Sequence, residues 1–182
     1  MFPERIKLHD KEFEHYLSAE LVDQYVSSIA KTISEEETGK DIVFVCILNG
    51  SFIFAADLYR KVNLDLESEI TFLKASSYEN TESTGKVKQL IGLDKDLTGK
   101  TVIIIEDIVD TGNTIVDIVP QLQNMGAAEV KVATFFWKPT VYDKDIDIDY
   151  WCLSIPDYFV IGYGLDYNGL GRGLKDVFKL KE

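Results

Sequence analysis

"VIIIEDIVDTGNTI", Val102 to Ile115, is the stretch from which the fold can be read. It begins as an unbroken run of β-branched residues, the pattern of a strand buried on both faces of a sheet. It then meets Glu106 and Asp107, a third acid at Asp110, and Thr111-Gly112-Asn113-Thr114 before an amphipathic segment begins. One carboxylate after a strand is an ordinary solvated turn residue, and Asp110 alone reads as a cap on the next helix. Three carboxylates followed by a threonine-flanked glycine need a chemical reason. A helix start presents backbone N–H groups to a phosphate, and Gly112 lets that backbone come close. Glu106 and Asp107 suit vicinal hydroxyls or a hard divalent cation. The stretch therefore suits a sugar phosphate, and it lacks both the lysine of a P-loop and the spacing of a dinucleotide fingerprint.

Working outward, apolar residues at Leu21, Val22, Tyr25, Val26, Ile29 and Ile33 predict a helix over 18–37, ended by Gly39. A buried strand over 41–48 leads through an Asn49-Gly50-Ser51 turn into a helix over 52–62. A strand over 69–78 follows, then a polar stretch, 79–90, read as a mobile loop or loose hairpin. After a turn at 97–100 come a strand over 101–106, a helix over 113–125 closed by Gly126, and strands over 129–137, 150–156 and 158–164. Residues before the first helix read as a short polar lead-in, and His9 and His15 within it receive no chemistry. Apolar strands alternating with helices give an α/β fold, a mostly parallel sheet flanked by helices on both faces. In such sheets ligands bind beyond the carboxyl ends of the strands, so the Asn49-Gly50-Ser51 turn and Glu106–Thr114 should share one cleft.

Composition narrows the partners. With 182 residues and 46% hydrophobic content the chain fits one domain with a real core. Nineteen Lys plus Arg against 31 Asp plus Glu leave a net charge of −12, which argues against nucleic acid or an anionic membrane as the main partner. Cys46 and Cys152 both lie in apolar runs and read as reduced, packed thiols. No signal-peptide core and no membrane-length apolar run is present, so a cytoplasmic location is expected.

The 102–115 stretch resembles the phosphoribosyl-pyrophosphate motif of the type I phosphoribosyltransferases. "LNGSFIFAADL", "SSY", "WKPT" and "IPDYFVIGYGLDYN", in that order, resemble the hypoxanthine-guanine branch of that family. The resemblance implies one phosphoribosyltransferase domain over 1–182, with a small hood over the base site formed by the terminal segments. It implies purine salvage: transfer of the 5-phosphoribosyl group from phosphoribosyl pyrophosphate to N9 of hypoxanthine or guanine, giving IMP or GMP plus pyrophosphate, with Mg²⁺ as cofactor.

The same resemblance assigns residues. Glu106 and Asp107 would contact the ribose hydroxyls directly or through Mg²⁺, and Thr111, Gly112, Asn113 and Thr114 the 5′-phosphate. Asp110 would take or share the purine N7 proton. Asn49 and Gly50 would form the pyrophosphate loop, with a non-proline cis bond at Leu48–Asn49, and Arg172 would contact pyrophosphate. Lys138 would donate to the 6-oxo group, Phe159 stack on the base and Val160 bond its edge through the backbone. Asp166 would serve the base pocket and a second Mg²⁺, and Ser77-Tyr78 would open a lid. The family implies a homo-oligomer, dimer or tetramer, for which an aromatic such as Tyr59 is a candidate interface residue. A xanthine-preferring transferase and a nucleotide-sensing regulatory protein on the same fold remain the alternatives.

Overall fold

Two strands, β3 (Ile42–Leu48) and β6 (Thr101–Val109), lie side by side at the centre, because both are apolar at successive positions and can be covered on each face. A computed structural model describes residues 3–63, 68–75, 90–91, 93 and 95–181. Around the central pair the sheet order is β5-β4-β3-β6-β7-β8, with β4 (Glu69–Ala75), β7 (Glu129–Trp137) and β8 (Tyr150–Ser154) parallel to them and β5 (Leu90–Ile91) antiparallel at one edge. Alternation along the strands divides the core. Phe44, Cys46, Ile103 and Ile105 meet α1 (Ala19–Glu36) and α2 (Phe52–Lys61), whereas Val43, Val45, Val102 and Ile104 meet α3 (Asn113–Asn124). From β3 the chain moves one way to β4, and from β6 the other way to β7. The junction between β3 and β6 is thus a topological switch point, where a crevice opens beyond the strand ends.

The helices follow their stripes. Ser18 caps α1, its Oγ accepting from the Leu21 N–H at 3.4 Å, and Val22, Val26, Ile29, Ala30 and Ile33 face the core. Leu21, counted in the stripe from sequence, is exposed. In α3 Pro120 costs one backbone bond, but Ile115, Ile118, Val119 and Leu122 still bury a continuous face. Cys46 is buried and Cys152 half-buried, both free thiols. Among the described residues no helix is long and apolar enough to cross a membrane.

Four expectations need correction. β6 runs on to Val109 rather than ending at Glu106, because β7 continues to pair with it after β3 has diverged. The strand placed over 150–156 ends at Ser154. The strand placed over 158–164 shrinks to β9 (Val160–Ile161), since Gly162, Tyr163 and Gly164 all take positive φ and turn the chain away. The polar lead-in is structured: β1 (Arg5–Leu8) and β2 (Lys11–Leu17) form a hairpin that continues through β10 (Val177–Leu180) to β9 as a separate antiparallel sheet. Phe13, Ile161 and Phe178 make its small core. The buried Asp176 fastens this hood to α1, accepting from the Ala19 N–H at 2.9 Å while its other oxygen lies 3.0 Å from His15 Nε2. Of the strand expected over 69–78, the part beyond Ala75 lies outside the described residues, as do the polar stretch 79–89 and Ser77-Tyr78.

Candidate active site

The two loops expected to share a cleft do so at the switch point. A Cβ on Gly50 would fall 1.5 Å from Asp107 Oδ2, so the turn after β3 packs directly on the second acid of β6, and only glycine fits there. The Leu48–Asn49 bond is cis, as the resemblance implied. A third segment closes on the same point: a Cβ on Gly164 would lie 2.0 Å from the Gly50 carbonyl oxygen. Arg172 holds that segment, donating to the Gly164 carbonyl at 2.7 Å and pairing with Asp166 at 2.6 Å. The other Asp166 oxygen accepts from the Gly169 N–H at 2.6 Å. Asn49, Gly50, Asp107, Asp166 and Arg172 therefore occupy one neighbourhood.

Its charge is unbalanced. Glu106 is buried, and among the described residues neither it nor Asp107 has a lysine, arginine or histidine within ion-pair distance. Burial, with the Asp107 charge beside it, raises the Glu106 carboxyl well above the ordinary range. Burial lifts Asp107 to about 6, against the hydrogen bond from the Ile108 N–H and the field of Arg172. These are hard oxygen donors in want of positive charge, and they fit Mg²⁺. Among the described residues no three ligating side chains surround one metal position. That suits Mg²⁺ too, because this ion keeps water and substrate oxygens and takes only one or two carboxylates.

Asp110 does not cap α3. The N-cap is Gly112, in the left-handed region at φ 76, with no side-chain cap bond. The carboxylate turns instead to Lys138, whose Nζ lies 2.9 Å from Asp110 Oδ2 and 2.7 Å from Asp157 Oδ1. Lys138 is only 5% exposed. Burial alone would lower its pKa, but the contacts with Asp157 and Asp110 prevail and hold it above the usual lysine value. Thr111, Asn113 and Thr114 are exposed around the buried Gly112. A Cβ on Gly112 would meet Tyr142 at 2.3 Å and the Lys144 side chain at 3.1 Å, so these two residues roof the loop.

Phe159, just ahead of β9, stands 44% exposed, an aromatic that a simple core would have covered. Tyr167 meets it edge-on at 5.8 Å and Phe13 at 6.2 Å, both backing it from the hood, and Val160 beside it is buried. Sequence reasoning missed Asp157, Tyr142 and Lys144. The acid at 157 carried a signal, since it sits inside the quoted "IPDYFVIG" stretch, but only the fold brings it to Lys138. Tyr59, named for an interface, is not a free aromatic: it packs against Phe44 and its hydroxyl donates to the Ser68 carbonyl at 2.8 Å.

An unneutralised acid pair and a glycine loop at a helix start, meeting at the switch point, suit the transfer of a phosphorylated sugar. The model of the phosphoribosyl transferase domain matches residues 13–168, and the chain belongs to that family. It is 39% identical over 166 residues to the hypoxanthine-guanine phosphoribosyltransferase of Staphylococcus epidermidis, covering 91% of this chain and 92% of the relative. The enzyme of the same name from Streptococcus thermophilus is 38% identical over 155 residues, 85% of each chain. The crystal structure of a hypoxanthine phosphoribosyltransferase from Staphylococcus aureus superposes with a TM-score of 0.82 at 36% identity, covering 92% of this chain and 91% of that one.

Proposed function

We propose that this chain transfers the 5-phosphoribosyl group of phosphoribosyl pyrophosphate to N9 of hypoxanthine or guanine, releasing pyrophosphate and IMP or GMP. One observation carries the choice of base: a buried ammonium and a carboxylate 2.9 Å apart, Lys138 and Asp110. Such a pair offers a donor and an acceptor side by side. A 6-oxopurine carrying its proton on N7 presents the matching acceptor and donor on one edge, whereas adenine would turn an amino group toward the ammonium.

Asp110 accepts the N7 proton as the N9 lone pair bonds to the anomeric carbon and the bond from that carbon to pyrophosphate breaks. Lys138 donates to the 6-oxo group and holds the base in register. Phe159 stacks on the ring, and the Val160 backbone bonds its far edge. Thr111, Gly112, Asn113 and Thr114 receive the 5′-phosphate at the start of α3. Glu106 and Asp107 take the ribose hydroxyls, while Asn49, Gly50 and Arg172 take the pyrophosphate. Asp166, whose charge bears on Asp107, completes the acid group and fixes Arg172. Mg²⁺ held at Glu106 and Asp107, with Asp166 beside them, would neutralise the diphosphate and ease its departure.

The test is an absorbance assay with phosphoribosyl pyrophosphate, Mg²⁺ and each base in turn. Turnover with hypoxanthine and guanine, and adenine lower by roughly 100-fold or more, is the expected result. Efficient adenine turnover contradicts the Lys138–Asp110 assignment, a preference for xanthine would favour that base instead, and no turnover with any base would favour a nucleotide sensor. Assembly into a dimer or tetramer belongs to the same proposal, and sedimentation velocity checks it.

A further inference from the structure

Lys138 has two carboxylate partners where the reaction above uses one. Its backbone is fixed, the N–H donating to the Val109 carbonyl at 3.0 Å and the carbonyl accepting from the Val141 and Tyr142 N–H groups at 3.0 Å each. The loop carrying Asp157 is fixed as well. The Ile155 N–H donates to the Trp137 carbonyl at 2.8 Å, and the Tyr158 N–H to the Pro156 carbonyl at 2.6 Å. The 2.7 Å contact between Lys138 and Asp157 thus joins two held segments rather than two wandering surface chains.

We propose that Asp157 is a positioning residue for the transfer, holding the Lys138 ammonium and balancing its charge when Asp110 takes the purine proton. The inference rests on the proposed function for Asp110 and Lys138. A buried ammonium opposes anything that removes its counter-charge. When Asp110 accepts the N7 proton it becomes neutral. With Asp157 present the trio passes from one net negative charge to none. Without Asp157 it passes from neutral to one net positive charge inside the protein, and the proton transfer is resisted. Asp157 itself stays 69% exposed, with one oxygen serving the lysine. Among the described residues, the charged groups within ion-pair distance of Lys138 are Asp110, from the loop after β6, and Asp157, from the loop before β9. Beyond Lys138, the charges nearest Asp110 along the chain are Glu106 and Asp107. Lys144, over Gly112, is paired with Asp143 at 2.6 Å.

The test uses Asp157→Asn and Asp157→Glu in the full chain. In the free protein, Asp157→Asn is expected to lower the titration of the Lys138 ammonium, followed by NMR, because Asp157 is a main cause of its raised pKa. With hypoxanthine, kcat should fall roughly threefold to tenfold while KM for the base does not rise, and Asp157→Glu should recover both quantities. A Lys138 titration that stays put in Asp157→Asn, or a raised KM with unchanged kcat, overturns the proposal. A wild-type chain that fails to transfer phosphoribosyl at all sinks the proposed function instead, and the titration in free protein then judges Asp157 alone.

Discussion

The two ends of the parallel sheet bury acids in opposite ways. At the amino end, Glu37 is fully buried and surrounded: Lys131 lies 2.5 Å from one oxygen, Lys40 2.9 Å from the other, and the Tyr150 hydroxyl donates to it. Burial pushes this carboxyl up, yet Lys131, Tyr150 and Lys40 outweigh it and hold it below the ordinary range. At the carboxyl end, Glu106 is buried with no such partners among the described residues and is pushed far the other way. An acid whose charge is matched within the chain is structural. An acid buried without a match destabilises the free protein and stabilises whatever cation or hydroxyl-rich ligand arrives. The difference between the two ends is what marks one of them as a site.

Four substitutions can break or sharpen that contrast. Asp110→Asn should lower kcat by about 10³-fold, measured by steady-state assay; retained turnover would remove the proton acceptor from the account. At the other end, Glu37→Ala should cost about 3 kcal/mol, or roughly 6–12 °C in melting temperature, with kcat/KM of the folded protein intact. Its pH dependence has a definite sign. Because the folded value of Glu37 is lowered, its contribution is fully present above the ordinary value of 4.5 and disappears as pH falls through the lowered one. The stability gap between wild type and Glu37→Ala should therefore narrow on acidification below that value.

Gly50→Ala, which forces a methyl against Asp107, should raise KM for phosphoribosyl pyrophosphate by about tenfold through displacement of the turn and the acid together. The smallest effect is the most diagnostic. Glu106→Gln should raise the melting temperature of the ligand-free protein by a few degrees, about 1 kcal/mol, while weakening binding of the phosphoribosyl donor. A destabilised Glu106→Gln would mean that this acid is matched like Glu37, and the contrast would vanish.

Sequence and structure agree where a residue's chemistry is stated locally. β3 and β6 announced themselves through consecutive β-branched residues, and the shared cleft through the glycine turn after β3 and the acids near the carboxyl end of β6. The overrun of β6 to Val109 was not legible, because acids weaken a strand pattern and the pairing with β7 that sustains it is distant in sequence. The hood was hidden for a similar reason. β1, β9 and β10 are two to four residues long, and β2 binds a partner more than 150 positions away, so no local period survives. Asp157 has no local pattern to mark it, and its place appears only once β7 and the loop before β9 have brought it to Lys138. Asp176 was invisible in the same way.

A crystal structure of the chain with GMP tests the central claim most directly. The account predicts phosphate oxygens on the backbone N–H groups of Thr111–Thr114, guanine O6 on Lys138 Nζ, N7 facing Asp110, and the ribose hydroxyls toward Glu106 and Asp107. A nucleotide bound with its base away from Lys138, or its phosphate away from the start of α3, would contradict it.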